Sequence, residues 1–91
     1  MSGSMIGADP DQLENLGAVL GRQRDAVETI VMSVTTALSA TAWVGPARAA
    51  FEDDWRTSFQ PALRRLVEAF DLVGTDCRSR AAELRRVMGR Y

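Results

Sequence analysis

Two long stretches with helical periodicity meet at one short interruption, Trp43-Val44-Gly45-Pro46, near the middle of the 91-residue chain. A chain of two amphipathic helices broken once has a hairpin as its simplest fold, so the expected class is all-α with an antiparallel helix-turn-helix hairpin over residues 1–91. Upstream of the break, Asp9-Pro10-Asp11-Gln12 carries helix-start signals. Asp9 accepts from the free first-turn amides, Pro10 suits the first helical position, and Gln12 three residues on completes a capping box. From there Leu13, Leu16, Leu20, Val27, Ile30, Val31, Val34 and Leu38 wind onto one face at about 3.6 residues per turn, with Gln23 as the polar residue in the row. The first helix is expected over about residues 10–40 and the turn over 41–46. There Ser39 and Thr41 end the pattern, Gly45 is free to take a left-handed conformation, and Pro46 opens the next helix.

The second helix is expected over about residues 46–88. Phe51, Trp55, Phe59, Leu63, Leu66, Phe70, Val73, Cys77, Ala81, Leu84 and Met88 follow steps of three and four, while Arg64, Arg65, Glu68, Asp71, Asp76 and Glu83 fall elsewhere and Leu72 joins the polar side. Pro61 lies inside this run. It removes a backbone donor and crowds the preceding turn, which predicts a kink near Thr57. At about 1.5 Å per residue the helices measure roughly 45 and 65 Å, predicting an overhang at the C-terminal end of the second. Its apolar sector is also too wide for one neighbour. Leu63 and Val67 lie toward one edge, with Phe51, Trp55 and Val73 toward the other, so two hairpins are expected to pair as a dimeric four-helix bundle. The residues expected to carry the core and dimer interface are Leu20, Val27, Phe59, Leu66, Phe70, Val73 and Leu84.

Composition excludes several functions. Histidine is absent and the single cysteine, Cys77, lies on the apolar face as a small hydrophobe. Neither a general base with a nucleophile nor a metal-ligand set is evident, and no glycine-rich phosphate loop occurs. The expectation is a non-enzyme with no catalytic residue, cofactor, metal or small-molecule substrate. No apolar run is long enough to span a bilayer, and Met1–Ile6 offers neither a basic segment nor an apolar core for a cleaved signal peptide. The net charge is −1, and all eleven cations are Arg. Arg78, Arg80, Arg85, Arg86 and Arg90 cluster near the C-terminus against Glu83. The helix dipole accounts for such a cluster, and an acidic surface is the alternative use; with no interleaved aromatics, nucleic acid ranks low as a partner. Gly17-x-x-x-Gly21 suits close helix approach. Gln23 reads either as an edge residue or as an amide that sets helix register.

Trp43-x-Gly45 in the turn, small Ala49 and Ala50 followed by Phe51, then Trp55, Phe59 and a Leu-rich second helix together resemble the WXG family of small, early-secretory-antigen-like type VII secretion proteins. The resemblance covers about residues 6–88. It implies a hairpin that dimerises, with itself or with a paralogous small helical protein, and leaves a bacterial cell without a cleaved signal peptide. The secretion ATPase becomes a possible further partner. That family's C-terminal Tyr-x-x-x-Asp/Glu export signal is absent as written. The one Tyr is Tyr91, the last residue, and the nearest match in position is Ser79-x-x-x-Glu83. The resemblance therefore implies export as a passenger of a partner that bears the signal, the alternative being a cytoplasmic helical adaptor or nucleic-acid-associated module.

Overall fold

The computed structural model describes residues 7–89. Outside them lie residues 1–6, on which the signal-peptide reading rests, and also Arg90 and Tyr91. Every element among the described residues is helical: α1 (Pro10–Ala40), α2 (Pro46–Asp54), a π turn (Trp55–Phe59) and α3 (Gln60–Met88). The start of α1 is made by Asp9, whose carboxylate accepts from the amides of Asp11 at 2.8 Å and Gln12 at 3.2 Å. At the far end Thr41 leaves the helix in extended backbone, its hydroxyl donating back to the Ala37 carbonyl at 2.6 Å.

α3 returns antiparallel to α1. Near the turn the Trp55 indole N–H donates to the Thr35 hydroxyl at 3.2 Å. Midway, Arg24 meets Asp71 at 3.2 Å, and at the open end Arg85 meets Asp11 at 2.6 Å. Between these levels the helices come close enough for backbone to touch backbone. A Cβ added to Gly17 would stand 2.9 Å from the Gly74 carbonyl oxygen, and one added to Gly74 would stand 3.3 Å from that of Gly17. Both glycines are buried, so the approach rests on the missing side chains.

One expectation is corrected by these pairings. The C-terminal end of α3 does not overhang, because Arg85 reaches Asp11 and Glu14 in the first turns of α1. The surplus length lies instead at the turn end, where α2 runs past the end of α1 and buries none of its residues. The five-residue connection Thr41–Gly45 is what lets α2 begin beyond the point where α1 stops. Ahead of Pro61 the second helical run stays continuous, with a π turn over Trp55–Phe59. One residue is accommodated in this wide turn, closed by the Gln60 amide donating to the Trp55 carbonyl. That extra residue rotates Phe59 out of line with Trp55, and Phe59 is exposed where the spacing alone puts it in the apolar row.

Among the described residues the buried apolar side chains are Val27, Val31, Trp55, Cys77 and Ala81, and no large side chain is completely enclosed. The molecule measures 67 × 25 × 13 Å, with a radius of gyration of 19.9 Å. A compact chain of this length has a radius of about 12 Å. One layer of two helices has no second layer to close over its core.

Candidate functional site

The turn is held together by Arg48, in the first turn of α2. Its guanidinium donates to the carbonyls of Thr41 and Trp43, each at 2.9 Å, and to that of Leu38 at 2.9 Å, while Nε pairs with Glu52 at 3.2 Å. A helix end leaves its last carbonyls without intrahelical partners, and a planar five-donor fork meets several such groups at once. Sequence reasoning passes over Arg48 because an Arg four residues before a Glu on a helix reads as a solvated ion pair.

Gly45 is the one described residue at positive φ, with φ 132° and ψ 179°, a conformation open essentially to glycine alone. Its carbonyl accepts the first bond of α2 from Ala49 at 3.1 Å. The Trp43 side chain at the turn is 39% exposed. Its neighbour Val44 stands 96% exposed at the tip. The tryptophan that anchors packing is Trp55, 8% exposed, with Phe51 stacked on it at a centroid separation of 6.5 Å.

The two flanks of the hairpin differ in chemistry. Along one run the polar links that tie α1 to α3: Arg24 to Asp71, Arg78 to the Gly17 carbonyl at 3.2 Å, and Arg85 to both Asp11 and Glu14. Hydrogen bonds donated to the carboxylates of Asp11 and Glu14 hold the Arg85 guanidinium above its ordinary value, so it stays charged at any working pH. The opposite flank carries apolar side chains left in the open: Leu16 and Ile30 from α1, Leu66 and Val73 from α3. Of the residues expected at the core and dimer interface, Val27 is buried inside the hairpin and Leu20, Phe70 and Leu84 are half-buried. Phe59, Leu66 and Val73 are exposed. The structure thus brings these seven residues to one layer but divides them between an inner seam and an outer flank.

Ser79 and Glu83 are both exposed on α3. Three arginines of the cluster on this helix are engaged with their own chain: Arg80 pairs with Asp76 at 2.8 Å, and Arg78 and Arg85 cross to α1. Among the described residues no group of three or more His, Cys, Asp or Glu is placed to hold a metal ion, and no helix is long and apolar enough to cross a membrane. Searches against family models, curated proteins and solved structures find no match to this chain.

Proposed function

We propose that this chain is a non-enzymatic partner subunit that works by pairing its hairpin with another helical hairpin, in the manner of the WXG proteins that it resembles. The observation that carries this reading is the flank on which the apolar side chains Leu16, Ile30, Leu66 and Val73 are left open, on a molecule one helix layer thick. Two hairpins meeting on that flank complete a four-helix bundle and bury what each leaves wet. The ion pairs along the opposite flank then stay on the outside, where charge costs little.

The role that fits is passage through a type VII secretion route as a passenger, since Ser79-x-x-x-Glu83 supplies the acid of the export signal without its aromatic residue. The exposed tip of Trp43 and Val44 is the surface left for a further partner, such as the secretion ATPase. A nucleic-acid role is disfavoured by one observation, the engagement of Arg78, Arg80 and Arg85 with the chain's own acceptors. A cytoplasmic adaptor would share the bundle and lack export.

Expression in a bacterium with an active type VII system tests the reading. The chain should reach the culture filtrate only when a neighbour-encoded small helical protein is co-expressed, and Glu83→Ala should leave that co-export intact. Efficient export alone would overturn the passenger role. Retention in the cell with the partner present would point to the adaptor.

A further inference from the structure

On α1 the open edge from Leu16 to Ile30 contains one polar residue, and its position is informative. Leu16, Gln23 and Ile30 stand seven residues apart on α1, nearly two full turns each, so the three form one row with an amide at its centre. Leu16 and Ile30 are exposed large hydrophobics on this edge, and Gln23 is exposed between them. Val19 and Ala26 flank the row, so no charged residue interrupts the edge from Leu16 to Ile30. Gln23 also lies two residues from position 25, the middle of α1.

We infer that the partner on this flank is a second copy of the chain, and that Gln23 sits at the two-fold axis and sets the register by bonding to its own counterpart. This rests on the dimerisation proposed above. A side-chain amide carries both a donor and an acceptor, so it satisfies itself across an axis without a complementary residue. Two antiparallel copies of α1 crossing at residue 23 also place Leu16 of one copy against Ile30 of the other, an apolar match made twice by symmetry. A shift of one turn along the axis would set the amide against an apolar side chain and leave it unpaired, which is how a lone polar residue specifies register in a helical seam. The size is adequate as well. A face about 45 Å long and two helix diameters, about 20 Å, wide offers roughly 900 Å², comparable to the ~800 Å² per partner of a stable interface. The α1 row from Leu16 to Ile30 carries no charge, so no like-charge repulsion opposes its pairing with an identical row.

Complementary charges test the placement. Gln23→Glu and Gln23→Lys each put like charges at the axis, and each variant alone should self-associate about a hundredfold or more weaker than the wild type by sedimentation. Mixed in equal amounts, they should recover association to within about tenfold of the wild type, because each Glu then faces a Lys. Circular dichroism of each variant checks that the helices remain. Independently, mild oxidation should link two copies of Gln23→Cys and not of Arg22→Cys, whose side chain points about 100° away on the helix. Charged variants that pair no better together than apart, beside a dimeric wild type, would remove Gln23 from the axis and leave the dimer standing. A wild-type chain that sediments as a monomer at micromolar concentration would overturn the interface itself.

Discussion

At the scale of single residues, the two tryptophans have exchanged the parts their positions suggest. Trp43 marks the turn yet is 39% exposed, whereas Trp55 is enclosed and has its indole N–H satisfied by Thr35. Trp55→Ala should therefore cost about 3–5 kcal/mol in urea denaturation, and Trp43→Ala only about 1 kcal/mol, since the cost of truncation follows how tightly the removed ring was packed. A larger loss at Trp43 would show that its ring packs better than its exposure indicates. Gly45→Val forces a branched side chain to φ 132° and should cost about 1–3 kcal/mol by the same measurement. Arg48→Met keeps the aliphatic stem and removes the donors to three carbonyls, for an expected loss of about 1–2 kcal/mol. The turn was legible in the sequence as Trp43-x-Gly45, because a glycine followed by a proline between two periodic runs has few other uses. Arg48 was not legible. Its acceptors are backbone groups five to ten residues upstream, and nothing in residue type shows where a helix end will come to rest.

At the scale of elements, α1 and α3 cross at Gly17 and Gly74, and the fit has no slack. A methyl group on Gly17 would meet the Gly74 carbonyl oxygen and Arg78 Cγ, each at 2.9 Å, and the first of these is backbone that yields only if the helices part. Gly17→Ala should accordingly destabilise by about 1–3 kcal/mol, the usual range for overpacking. Gly21 is the control. Its nearest neighbour would be the end of the Arg78 side chain at 3.8 Å, so Gly21→Ala should raise stability by about 0.5–1 kcal/mol through helix propensity alone. Equal effects at both positions would deny the close crossing. The spacing of Gly17 and Gly21 drew attention to this stretch, but Gly74 is a lone glycine in its own helix, and only the pairing register reveals it as the partner. The π turn was hidden for a related reason. Helical periodicity counts residues at a constant angle, and one extra residue before Pro61 changes the angle without changing the pattern of letters, which is why Phe59 falls outside the row that the spacing assigns to it.

At the scale of the whole molecule, helix lengths and the presence of a hairpin follow from the periodicity, because each helix needs only its own amphipathic face to be recognised. The apolar excess on both helices was visible in the same way, but its division into an inner seam and an open flank depends on how α3 rotates about α1. The crossing at two glycines sets that rotation, and the polar links of Arg24, Arg78 and Arg85 line one side of it. Two adjacent residues on α3 separate the hairpin's needs from those of a dimer. Leu72 is 73% exposed on the polar side and Val73 is 47% exposed on the apolar flank. If the hairpin were the whole assembly, glutamate at either site would lie in water, and both variants should keep the wild-type stability within about 0.5 kcal/mol. If the flank is paired, Val73→Glu takes a charge in among apolar side chains, while Leu72→Glu still faces solvent. The expected result is a dimer for the wild type and Leu72→Glu by light scattering, and a monomer for Val73→Glu. Melting midpoints should rise with protein concentration for the first two and stay fixed for the third. Identical masses and midpoints for all three proteins would mean that the hairpin stands alone and that the open flank has another use.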